Sequence, residues 1–190
     1  MTDVVPLTTI PLPVKLRSED YLMLDDSGAF AGYGKTELIE GEVVYMNAQH
    51  RPHARIKSRL HVLLASALTG RADRLEAIVA GSVRISPHSV PEPDIVVTGE
   101  ADGEGLIPLA SVRLVVEVAD STLKSGLTTK ATIYAQSGIP EYWIVDVNGR
   151  VIHQMWSPAS GTYADHRETA FGDPVIATTC AGLTIATTGL

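Results

Sequence analysis

At 190 residues, with 45% hydrophobic and 19% charged side chains, the chain suits one soluble globular domain with room for a real core. A formal net charge of -7 counts against a nucleic-acid partner, and a single cysteine, Cys180, excludes an intrachain disulfide and a cysteine zinc site. No apolar run nears the roughly 20 residues needed to cross a bilayer, and no basic region of a secretory signal precedes Lys15, so no membrane association and a cytoplasmic setting are expected.

Residues 1–17 read as an extended arm in which Pro11 and Pro13 break any helix, and 18–190 as the folded domain. Ser18 is the expected N-cap of a short helix through Leu24, with Asp20 in its first turn. A loop over 28–34 precedes a hairpin over 37–46 that turns at Glu40-Gly41. A helix follows over 53–68, its apolar stripe made by Ile56, Leu60, Leu63, Leu64, Ala67 and Leu68. Strands are expected over 77–85, 94–98 and 112–118, with an acidic, glycine-rich loop over 99–105. A second helix over 127–137 ends at Gly138, with Pro140 just beyond. Asn148-Gly149 then turns a strand over 141–147 into a partner over 150–156, and short strands at 173–178 and 183–187 complete a single α/β domain. The sheet is mixed and flanked by two main helices.

The chemistry-bearing residues stand at strand ends. Asp94 opens Ile95-Val96-Val97, and Glu117 follows Leu114-Val115-Val116. An ionised carboxylate at the edge of a buried strand costs several kcal/mol unless a cation or good donors meet it. Two of them on neighbouring strands make an oxygen-rich pocket suited to a hard divalent ion such as Mg2+. Lys130 shares the inward face of the second helix with Leu127, Ala131 and Tyr134, and Glu117 is its nearest expected partner. His53 opens the first helix, where it can meet a phosphate, orient a water or cap the helix. Glu37, beside Leu38 and Ile39, is a candidate further acid at the metal. Between Arg51 and Arg74 stand six cations and one acid, a local basic face that can meet a phosphate backbone. There is no phosphate loop, dinucleotide fingerprint, HExxH motif or nucleophile elbow.

Taken together these segments resemble a known family. Glu37-Leu38-Ile39-Glu40-Gly41-Glu42-Val43-Val44-Tyr45-Met46, His53-Ala54, Gly81-Ser82-Val83-Arg84, Pro91-Glu92-Pro93-Asp94-Ile95, Val115-Val116-Glu117-Val118 and the run from Tyr134 to Asp146 appear in that order. They are similar to the Uma family of restriction-endonuclease-like proteins, a branch of the PD-(D/E)XK nuclease superfamily. The resemblance covers the chain from Ser18 onward.

That resemblance implies a restriction-endonuclease-like mixed β-sheet flanked by helices, with extra β-hairpins, and a metal-dependent endonuclease acting on nucleic acid, DNA before RNA. It makes Asp94 and Glu117 ligands of Mg2+ or Mn2+, with Glu37 completing the shell, and Lys130 the residue that supports developing charge or the attacking water. His53, Arg55, Lys57 and Arg59 become candidate nucleic-acid contacts. Two departures stand out. Ala119 replaces the lysine of the usual acid-X-lysine tripeptide, so Lys130 must reach in from the helix, and Gly126 stands where many relatives carry Asp. The acidic charge and Gly126 leave open a non-catalytic nucleic-acid-binding or protein-interaction domain with a decayed site, and, less strongly, a small-molecule phosphoesterase. Cutting two strands calls for two sites, so a homodimer is expected, pairing through an edge segment at Arg150–Trp156. Two adjacent carboxylates repel, so Asp94→Asn is expected to hold or raise the melting temperature in EDTA.

Overall fold

The structure, a computed structural model, describes residues 9–46 and 48–190. The expected arm lies outside the described residues up to position 8. From 9 to 17 it forms no helix or strand and runs beside the first hairpin, where the Leu16 N–H donates to Gly41 O and Lys15 pairs with Glu42 at 2.6 Å.

The first helix, α1 (Ser18–Asp26), starts one residue earlier than expected at its cap. Arg17 is the N-cap, and its N–H donates to the Asp20 carboxylate at 2.9 Å, while Ser18 is already helical and buried. β1 (Thr36–Ile39) and β2 (Glu42–Tyr45) form the expected hairpin, with Glu40 at φ 50° and Gly41 at φ 80° in the turn. α2 (Arg51–Leu68) matches the expected first helix and buries His53, Ile56, Leu60, Leu64 and Leu68.

The expected strand over 77–85 is split. β3 (Glu76–Val79) ends where Ala80 takes φ 54°, and β4 (Val83–Arg84) leaves the sheet to pair with β6 (Ile107–Pro108). Gly81 permits this turn, because a Cβ there would meet Ile107 Cδ1 at 2.6 Å. With β9 (Val151–Ala159) and β10 (Thr162–Ala170), the strands β5 (Ile95–Thr98), β7 (Val112–Ala119) and β8 (Glu141–Asp146) build a six-stranded sheet in the order β10-β9-β8-β7-β5-β3. Within this sheet the β7–β8 pairing alone is parallel, and its crossover carries the second helical segment. That segment is not one regular helix. α3 (Leu123–Ser125) passes into a π-helical turn (Gly126–Lys130) and then α4 (Ala131–Gln136). The wider turn rotates Leu127 out to 39% exposure, so Leu127 does not share the inward face with Lys130 and Tyr134.

β9 (Val151–Ala159) pairs with β8 on one side and with β10 (Thr162–Ala170) on the other. The segment expected to offer an edge for dimerisation is therefore interior, and the outer strand is β10. Its exposed Asp165, His166, Arg167 and Glu168 discourage strand-to-strand association. The same polarity hid β10 from the hydrophobic pattern. β11 (Pro174–Ile176) and β12 (Thr184–Ala186) are the tail strands, each shorter than expected.

Two apolar layers cover the sheet. On one face α2 packs with Val116, Val118 and Val145 and with the tail residues Val175, Leu183, Ile185 and Leu190. On the other, Val115, Tyr142 and Ile144 meet Ala131, Ile133 and Tyr134. The tail is latched by Glu141, wholly buried, which accepts from Trp143 Nε1 at 2.6 Å, from the Thr178 and Thr179 N–H groups at 2.8 and 2.7 Å, and from Thr179 Oγ1 at 2.9 Å. With that many donors its charge is met in full. No helix among the described residues is long and apolar enough to cross a membrane.

Candidate active site

Antiparallel pairing of β5 with β7 places Ile95 opposite Val116, which brings Asp94 level with the β7 segment that carries Glu117. The Val118 N–H, one residue on, donates to Asp94 Oδ2 at 2.9 Å. Asp94 is 3% exposed and draws three more donors. His53 Nε2 lies 3.1 Å from Oδ2, while Lys57 Nζ and Gln49 Nε2 lie 3.2 and 3.1 Å from Oδ1. His53 and Lys57 are one helical turn apart on α2, so the start of that helix grips both oxygens. Burial alone would raise the Asp94 pKa. The His53 hydrogen bond and charge, the Val118 N–H and Lys57 outweigh it and lower the pKa to about 2. The geometry argues against the expectation that Asp94→Asn would relieve strain: both oxygens are met by donors, and the charge holds His53 and Lys57.

Glu117 is met from the crossover. Lys130 Nζ donates to Glu117 Oε1 at 2.7 Å and Tyr134 OH to the same oxygen at 2.8 Å. Lys130 also lies 3.4 Å from Glu37 Oε2, so one ammonium bridges acids from β7 and β1. Glu37 is 1% exposed; its Oε1 accepts the Glu92 N–H at 3.2 Å with Lys35 at 3.7 Å, and its Oε2 has no hydrogen-bond donor. Burial pushes the Glu117 pKa up; Lys130 works against this, and Asp94 and Glu37 add to it. Burial pulls Lys130 down, but Glu117, Glu37 and Asp94 together hold its pKa above the ordinary lysine value. Burial and then Glu117 push the Tyr134 hydroxyl well above its ordinary range, so it serves as a proton-bearing donor. Its ring meets Tyr142 edge-on at 4.9 Å.

The oxygen donors are of the kind a hard divalent ion takes, and the undonated Glu37 Oε2 is the clearest opening for one. As placed, no three His, Cys, Asp or Glu side chains among the described residues form a metal-holding group. Asp94 in particular spends both oxygens on internal donors.

Of the expected residues, Asp94, Glu117, Lys130 and Glu37 converge. His53 and Lys57 join them as partners of Asp94, which their expected role on nucleic acid did not anticipate. Arg55 stays on the exposed face of α2. Arg59 is held elsewhere, its guanidinium donating to the Gly189 carbonyl. Arg59→Ala should therefore lower stability by about 1 kcal/mol and leave oligonucleotide binding unchanged. Unchanged unfolding with weakened binding would return Arg59 to the interface. Gln49 carries no sequence signal, and Tyr134 was legible only as an inward-facing ring. At Gly126 a Cβ would stand 3.4 Å from Ile144 Cδ1 and 3.5 Å from the Tyr142 hydroxyl, so this glycine lies where helix and sheet approach closely.

Comparison with known proteins follows the same line. No curated protein matches the chain. Among solved structures, the chain is similar to one from Anabaena variabilis ATCC 29413 described as "a putative nuclease belonging to DUF820", at TM-score 0.67 and 14% identity, over 90% of this chain and 95% of that one. At that identity the likeness establishes a shared fold. A family model, Uma2, described as "Putative restriction endonuclease", matches residues 18–188. Spanning the sheet, the crossover and all four converging residues, that match shows that the chain belongs to the Uma2 family.

Proposed function

We propose that this protein is a metal-dependent endonuclease that hydrolyses phosphodiester bonds of nucleic acid, with DNA the first substrate to offer. The observation that carries the reading is the Lys130 ammonium, set 2.7 Å from Glu117 and 3.4 Å from Glu37. Asp94, Glu117 and Glu37 would hold Mg2+ or Mn2+, which supplies an activated water and charge neutralisation. Lys130, whose pKa Glu117, Glu37 and Asp94 raise, is read as a charged donor rather than as the general base. It donates a hydrogen bond and a full positive charge to the phosphate oxygens as negative charge builds on them. Tyr134 keeps Glu117 Oε1 oriented, and Arg55, on the exposed face of α2, is the cation offered to the substrate backbone.

The second reading, a non-catalytic nucleic-acid-binding fold, is favoured by the saturation of Asp94 by four internal donors. Incubating plasmid and single-stranded substrates with Mn2+, wild type beside Asp94→Ala, separates the two. Cleavage by wild type alone supports the nuclease. Retention of nucleic acid without cleavage by either favours the binding fold, and turnover of a small phosphodiester alone points to a phosphoesterase. The working form proposed for two-strand cutting is a homodimer, which light scattering at micromolar concentration checks.

A further inference from the structure

Asp94 is gripped unequally on its two oxygens. Oδ2 is tied to a backbone N–H of β7 and to the buried imidazole of His53 at the start of α2. Oδ1 is tied to two side chains on the open side: Gln49 from the exposed loop before α2, and Lys57, 16% exposed on a flexible four-carbon stem. Lys57 differs from the other lysine of the centre. Lys130 rests on two acids, so it keeps one when the other is taken. Lys57 has Asp94 as its carboxylate partner, and the ordinary lysine stem can swing its ammonium several ångströms.

We propose that Lys57 is a second catalytic lysine of this centre, stored on Asp94 Oδ1 and handed to the phosphate of the substrate when Asp94 takes a divalent cation. The inference rests on the metal-dependent nuclease reading and adds to it a residue and a sequence of events. Storing the ammonium on the carboxylate adds a full positive charge to the donors that Gln49, His53 and the Val118 N–H already give it. Releasing it then delivers a positive charge to the substrate side of the same carboxylate. His53 and the Val118 N–H hold Oδ2 throughout, so Asp94 keeps its orientation while Oδ1 changes partner. The exchange moves one side chain and forms or breaks no covalent bond.

The test reads metal affinity without nucleic acid, then nucleic-acid affinity. In calorimetric titration with Mn2+, Lys57→Met should bind about tenfold tighter than wild type, since a competing cation has left the ligand oxygen. Arg113→Met, which removes a charge from an exposed position of β7, should change affinity less than about twofold. In Ca2+ buffer, Lys57→Met should bind a short oligonucleotide several-fold more weakly, with a salt dependence about one charge shallower. Lys57→Gln, which still donates to Asp94, guards against a folding defect in the Met variant, and both should melt cooperatively. Wild type that binds no Mn2+ overturns the metal reading itself. Wild type that binds Mn2+, with Lys57→Met and Lys57→Gln no tighter, overturns this inference alone and leaves Lys57 a structural ion pair. Tighter metal with unchanged oligonucleotide binding overturns the handover to phosphate.

Discussion

Lys130→Met should cut nucleic acid at least about 100-fold more slowly than wild type in Mn2+, a loss of about 3 kcal/mol in transition-state stabilisation. The methionine keeps the length of the stem and deletes the charge that lies 2.7 Å from Glu117 and 3.4 Å from Glu37. Those two acids and Asp94 then face one another with less compensation, and breaking a buried pair from one side costs roughly 3–5 kcal/mol. The variant should therefore melt well below wild type in EDTA and regain much of the difference when Mn2+ is added, because the ion replaces the lost positive charge. Divalent affinity should hold or rise for the same reason. Equal cleavage rates in wild type and Lys130→Met, with Asp94→Ala inactive, would reassign Lys130 to a purely structural role.

Asp94→Asn should abolish cleavage and also lower stability by about 2 kcal/mol in EDTA near neutral pH, a fall of roughly 4–8 °C in melting temperature for a domain of this size. The amide keeps an acceptor for the Val118 N–H but leaves His53 and Lys57 without their carboxylate. The sign follows from the direction of the shift. Asp94 titrates at about 2 in the folded chain against an ordinary 3.8, so its charge stabilises the fold above pH 3.8, and that stabilisation is lost as the pH falls towards 2. The gap between wild type and Asp94→Asn should close over that interval. Melting curves that stay apart below pH 2, or a variant more stable than wild type at pH 7 in EDTA, would show that the carboxylate is a burden on the fold after all.

Much of the architecture was legible because its signals are local. The stripe of α2 and the β-branched runs of β5 and β7 announce a helix against a buried sheet, and Asn148-Gly149 announces the turn between β8 and β9. The acids at the strand ends and Lys130 on an inward helix face were legible locally, but nothing in their spacing says that β1 folds back to within reach of Lys130. Three features lay beyond reach. β10 is an edge strand that pairs with β9 alone and shows solvent a charged face, so it has no apolar alternation to detect. The π-helical turn depends on how Gly126 meets Ile144 and Tyr142, a tertiary fact. And the capture of Asp94 by His53 and Lys57 joins a strand end to a helix start some 40 residues earlier, a contact that neither segment encodes alone.

The tail latched by Glu141 also bears on how the molecule is made. Ile56, Leu60, Leu64 and Leu68 are synthesised more than a hundred residues before Val175, Leu183, Ile185 and Leu190, which complete the same core. While the chain emerges from the ribosome, the apolar stripe of α2 stays partly uncovered until the last segment appears and Thr178 and Thr179 reach the waiting carboxylate. Chains stalled before that point expose this apolar surface, which favours aggregation until Val175, Leu183, Ile185 and Leu190 cover it.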